Sequence, residues 1–184
     1  MTATRSPVMI VDDAQLAAAA DEVVEMARAT GGSASGIIVS AFGDPGLERI
    51  RNETGLVAVG ICEASMLAAG EGGRRFGIAT VTPDLVDSFA GKARSNGVGD
   101  LFTGTRLTAG DPVVLAADPA RLTEALAQAV RACVDEDGAE AVIIGGGPLG
   151  QAAEALQGQF AVPVIAPIRA AAQLLVKRLS MPAA

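Results

Sequence analysis

Hydrophobic and polar positions along the chain alternate between two patterns. Short β-branched runs, read as buried strands, are separated by amphipathic stretches, read as helices. Asp13 to Thr30 reads as a helix, capped by Asp12 or Asp13 and stopped at Gly31-Gly32. Gly36 to Phe42 and Leu56 to Ile61 read as strands, each followed by a short helix, over Gly46–Thr54 and Glu63–Ala69. Arg75 to Val81 is a third strand. Thr82-Pro83-Asp84 then supplies an N-cap, a proline at the first helical position and a first-turn acid, for a helix to about Ser95. Leu101 to Leu107 reads as a weaker, outer strand. Asp118-Pro119 opens a long helix to about Asp135. Ala139–Gly145 and Ala161–Ala166 are strands, and Leu149–Leu156 and Pro167–Leu179 helices. This alternation predicts an α/β fold of parallel sheets covered by helices on both faces. Ligands of such folds bind just beyond the carboxyl ends of the strands. Attention therefore falls on Gly43-Asp44-Pro45-Gly46, Cys62-Glu63, Thr82-Pro83-Asp84, Gly146-Gly147-Pro148 and Pro167.

Composition then removes whole classes of chemistry. Among 184 residues there is no His and there are only two Cys. That excludes an imidazole base, a Ser-His-Asp triad, a His-liganded zinc site and an iron–sulfur cluster, and no metal is expected. A formal charge of −7 makes a nucleic-acid partner unexpected. No apolar run is long enough to span a bilayer, and the first residues carry no leader-like apolar stretch. A soluble cytoplasmic protein is the expectation, with Cys62 and Cys133 as free thiols.

Several ordered blocks resemble the hydantoin (allantoin-type) racemase branch of the aspartate/glutamate/hydantoin racemase superfamily. They are Ala41-Phe-Gly-Asp-Pro-Gly-Leu47, Val59-Gly-Ile-Cys-Glu-Ala64, Arg75-Phe-Gly-Ile-Ala-Thr-Val-Thr82, Asp137-Gly-Ala-Glu-Ala-Val-Ile-Ile-Gly145 and Val162-Pro-Val-Ile165. The resemblance implies two Rossmann-like lobes with parallel sheets related by a pseudo-twofold. On that pattern residues 1–71 plus 160–184 form the first lobe and 72–159 the second. The first lobe would be incomplete at its N-terminus, where the family has an opening strand, leaving an edge for a partner or a second copy to cover. The resemblance also implies cofactor-independent racemisation of a small amino-acid derivative held between the lobes. Two cysteines would act on opposite faces of the stereocentre, one as base and one as acid. Here Ala41 and Gly146 occupy those two cysteine positions, so two-thiol racemisation is not expected.

The remaining candidates each have two readings. Ala41, Phe42, Gly43 and Asp44 read as a ligand-cradling turn, or as a strand-to-helix turn with Asp44 as N-cap. Thr80 and Thr82 could orient a ligand, although helix capping by Thr82 competes. Gly146 and Gly147 lie in Gly145-Gly-Gly-Pro-Leu-Gly150, which matches G-x-G-x-x-G. No acid follows at the end of the next strand to hold a ribose, so a small-anion nest reads better there than a dinucleotide site. Glu63 could be a general base or a first-turn helix acid, and Cys62 a displaced catalytic thiol or a core residue. With one acid/base group, a lyase-like or decarboxylase-like reaction would suit the site better than racemisation. A non-catalytic ligand-binding protein is the alternative, and a homo-oligomer is compatible with the high apolar fraction.

Overall fold

A computed structural model describes residues 1–181 except Val8 and Gly31. One of the glycines expected to stop the first helix therefore lies outside the described residues. That helix, α1 (Asp13–Ala29), starts where the Asp12 carboxylate accepts from the Gln15 amide and ends at Thr30. Strand β1 (Gly36–Val39) follows, then α2 (Leu47–Thr54), β2 (Val57–Gly60) and α3 (Ile61–Ala69). The second half runs β3 (Phe76–Thr80), α4 (Val86–Ser95), β4 (Phe102–Leu107), α5 (Pro112–Ala116), α6 (Pro119–Asp135), β5 (Ala141–Ile144), α7 (Gly150–Leu156), β6 (Val164–Ile165) and α8 (Pro167–Leu179).

The strands form two parallel sheets. One pairs β1 with β2 and the other has the order β4-β3-β5-β6. This is the α/β architecture that the alternating pattern predicts. β3 and β5 are buried at every position, as central strands of a sheet covered on both faces should be. β4 is only partly buried and lies at the edge, consistent with its weaker apolar pattern. Helix α5 was not expected. Asp111 caps it by accepting from the Val113 and Val114 amides, with Pro112 at the first position, the same device with which Asp118-Pro119 opens α6.

The two sheets share a core. Val59, Ile61, Met66, Phe76, Ile78, Phe89, Ile143 and Ala171 pack into one apolar cluster drawn from both halves of the chain. β6 pairs with β5, and the chain then returns through α8 onto α3, β2 and β1. Burying this joint cluster holds the carboxyl ends of β1, β3 and β5 in fixed relation.

Candidate functional site

The loops leaving β1, β3 and β5 converge on one cavity of about 770 Å³. Ser40, Ala41, Phe42 and Pro45 line it from the first loop, Val81 and Thr82 from the second, and Gly145 to Leu149 from the third. Ala19, Val23 and Met26 of α1 and residues 1–4, 6, 7, 9 and 10 complete the lining. The Phe42 and Phe89 rings meet edge-to-face at its floor, centroids 5.2 Å apart.

Two of the glycines are set by close approach. A Cβ on Gly147 would lie 3.1 Å from the Ser40 carbonyl oxygen, so the loops of the two sheets touch through backbone there. A Cβ on Gly145 would lie 2.7 Å from Ile78 Cγ2. Gly146 differs: its backbone is extended (φ 168°), and a Cβ would meet only the Leu149 side chain, at 3.0 Å. The expected anion nest is not formed by the first two amides of this run. Gly145 N–H donates to the Ala79 carbonyl (2.8 Å) and Gly146 N–H to the Ile144 carbonyl (3.0 Å).

Behind the cavity wall lies a hydroxyl pair. Thr80 is fully buried and donates to the Gly145 carbonyl at 2.6 Å, and its oxygen is 3.2 Å from that of Thr82. Thr82 makes no side-chain capping bond to the helical turn that follows it, so the capping reading does not hold.

The other candidates have been gathered for a different purpose. Strand β2 runs into α3 without a loop, leaving the first amides of the helix without partners. The Asp44 carboxylate supplies them, accepting from Cys62 N–H at 2.9 Å and Glu63 N–H at 2.7 Å. It lies directly over Gly60, where a Cβ would come within 2.0 Å of Asp44 Cγ. Asp44 itself adopts the left-handed conformation (φ 54°). It caps α3 rather than α2, whose N-cap residue is Gly46. Burial pushes the Asp44 carboxyl up to about 6, while the two amides and the Lys92 charge pull the other way.

Cys62 is wholly buried in the shared core, and burial, with the Asp44 charge, raises its thiol well above the usual range. Cys133 is likewise buried, and burial and Asp137 push it up to about 12. Neither favours a thiolate. The Glu63 carboxylate pairs with Arg51 (2.7 Å) and Arg178 (2.9 Å), tying α2, α3 and α8 together. Burial raises its pKa, but the hydrogen bonds from Arg178 and Arg51 outweigh this and hold it below the ordinary carboxylate range. A base so neutralised is poorly suited to proton abstraction.

The structure thus brings Ala41, Phe42, Thr82, Gly146 and Gly147 to one cavity, with Thr80 immediately behind. Gly43, Asp44, Cys62 and Glu63 are not among its lining residues. Gly43 packs instead against Leu16, whose Cδ2 would sit 2.8 Å from an added Cβ. Ser40, Phe89 and the opening segment were missed by sequence reasoning. Ser40 falls inside the Gly36–Phe42 run that reads as a strand, whereas β1 ends at Val39 and leaves Ser40 in the loop. Among the described lining residues there is no acidic, basic or thiol side chain; the polar ones are the hydroxyls of Thr2, Thr4, Ser6, Ser40 and Thr82. Such a wall can orient a neutral ligand through hydrogen bonds, but holds no side chain that exchanges a proton near neutrality.

Comparison with known proteins gives this geometry its context. A hydantoin racemase from Pseudomonas sp. (strain NS671) is 33% identical over 135 residues, which is 70% of this chain and 51% of that enzyme. The chain thus spans about half the length of that relative. The structure of allantoin racemase from Klebsiella pneumoniae superposes with a TM-score of 0.85 at 25% identity, covering 93% of this chain and 70% of that one. For allantoin racemase from Pseudomonas fluorescens the TM-score is 0.90 at 21% identity, covering 98% and 78%. A family model described as Asp/Glu/Hydantoin racemase matches residues 1–175. The family model and the fold agree over nearly the whole chain, which belongs to the Asp/Glu/hydantoin racemase family.

Proposed function

We propose that this chain binds a small, neutral amino-acid derivative, of the cyclic ureide kind, in the cavity between the loops after β1, β3 and β5. It does so without two-thiol racemisation. One observation carries the reading: Ala41 and Gly146, at the positions where the resemblance expects cysteines, both line this cavity, and no acidic, basic or thiol side chain stands among the described lining residues. The site keeps its place in the fold and lacks the groups that would remove and return an α-proton. A lyase-like reaction through Glu63, Asp44 or Cys62 is disfavoured, because one is held in ion pairs, one caps a helix and one is sealed in the core. The apolar wall with scattered hydroxyls suits a neutral ring with an apolar substituent better than a dicarboxylate, whose charges would enter without counter-ions.

Restoring the thiols tests this. Gly146→Cys would bring its Cβ within 3.0 Å of the buried Leu149 side chain alone, with no backbone in the way, so it asks only Leu149 to shift by a few tenths of an ångström. The double variant Ala41→Cys/Gly146→Cys is expected to gain measurable racemisation of 5-benzylhydantoin over the parent protein. A double variant that binds the hydantoin yet stays inert would count against the assignment of these positions. A parent protein that shows no saturable binding would overturn the reading as a whole.

A further inference from the structure

We infer that Thr82 recognises its ligand solely as a hydrogen-bond acceptor, held in that polarity by Thr80, so that the group it selects is a ring N–H. The inference rests on the ligand-binding reading above and specifies which atom of the ligand that site reads.

A threonine hydroxyl has one hydrogen to donate and two lone pairs. Thr80 Oγ1 lies 2.6 Å from the Gly145 carbonyl oxygen, which has no hydrogen, so Thr80 must be the donor in that bond. Its only proton is thereby committed. The second contact, 3.2 Å between the Thr80 and Thr82 oxygens, fits either donor when taken alone. With Thr80's proton already placed, only Thr82 can donate. The order is Thr82 O–H to Thr80, and Thr80 O–H to Gly145 C=O. Thr80 is fully buried, so no solvent competes to reverse the relay. Thr82, on the cavity wall, is left with acceptor capacity and no proton to offer.

The consequence is selectivity. A free hydroxyl accepts or donates as the ligand requires; a hydroxyl with its proton fixed behind it rejects a second acceptor. Among neutral cyclic ureides the matching donor is a ring N–H. Thr80 touches no ligand and acts as a positioning residue. Its role also explains why a fully buried hydroxyl stands in β3, otherwise made of Phe, Gly, Ile and Ala.

The test compares 5-benzylhydantoin with its N1-methyl and N3-methyl derivatives by calorimetric titration. In the parent protein one methyl derivative should bind about tenfold more weakly, the size expected for a buried hydrogen bond lost. Thr82→Val keeps the side-chain shape and removes the acceptor, so that penalty should vanish; Thr82→Ser should keep it. Thr80→Val frees the Thr82 proton to donate to the ring carbonyl beside the methylated nitrogen, which should shrink the penalty, and Thr80→Ser should restore it. Thermal unfolding of each variant checks that the fold is retained, since a merely structural threonine would move the melting temperature and not the ratio. A penalty that persists in Thr82→Val is steric and overturns the inference. Equal binding of all three ligands by the parent also overturns it while leaving the cavity reading intact. If none of the three binds, the cavity reading fails and this inference falls with it.

Discussion

At the scale of single residues, Asp44 and Gly60 show how a sequence block can look chemical and act structurally. Two of the blocks that carry the family resemblance contain Gly43-Asp-Pro-Gly46 and Cys62-Glu63, whose sequences read as site loops. They meet because Asp44 caps the loopless start of α3 across the bare Cα of Gly60. Pattern reading could not join them: a cap supplied from 18 positions away has no periodicity, and capping rules look within a few residues of the helix start. Gly60→Ala would force a Cβ into the carboxylate and should cost about 3 kcal/mol in urea denaturation, as overpacking without room to relax does. Asp44→Ala should cost about 2 kcal/mol, the upper range for a lost cap. The Asp44 carboxyl is raised in the fold to about 6 from an ordinary value of 3.8. The folded protein therefore binds more protons than the unfolded chain between those values. Its contribution is most favourable below about pH 4 and is lost as pH rises through about 6. The parent protein should lose stability across that window relative to Asp44→Ala; equal pH profiles would contradict the assignment.

At the scale of elements, most helices and strands were legible because their apolar periods were clean, and α8 begins and ends where its pattern does. β6 is shorter than its apolar run, with only Val164 and Ile165 paired. The opening segment was legible neither as helix nor as strand, because nothing in its pattern names its partner. It is held by Glu22, whose carboxylate accepts from the Thr4, Arg5 and Ser6 amides and the Ser6 hydroxyl at 2.7 to 2.9 Å. Those bonds, the Arg5 amide first, draw the Glu22 carboxyl down to about 2. A depressed carboxyl contributes above its unfolded value, here 4.5, and the contribution fades as pH falls toward 2. Glu22→Gln should speed amide exchange at residues 4–6 and tryptic cleavage after Arg5, without loosening α3. Unchanged exchange would show that the segment is held by something other than this carboxylate.

At the scale of the whole molecule, two parallel sheets share one core, and their strand ends frame one apolar cavity. The alternation of apolar runs gave the α/β class, and the ordered blocks gave the family. The chemistry was less legible. Which loops meet depends on how the second sheet packs on the first, so Thr82 could be placed opposite Ala41 and Gly146 only in three dimensions. The few reactive side chains lie apart from the cavity: Cys62 and Cys133 are core residues, and Glu63 ties helices together. Among the described residues no helix is long and apolar enough to cross a membrane. What sets this molecule apart is a proposed ligand site whose described lining side chains hold no proton-transfer group. Its most direct test is deuterium incorporation at C5 of enantiopure 5-benzylhydantoin in D2O with saturating parent protein, read by proton NMR and chiral chromatography. Saturable binding with exchange no faster than in buffer alone is expected. Exchange with inversion, rising in proportion to protein concentration, would contradict it.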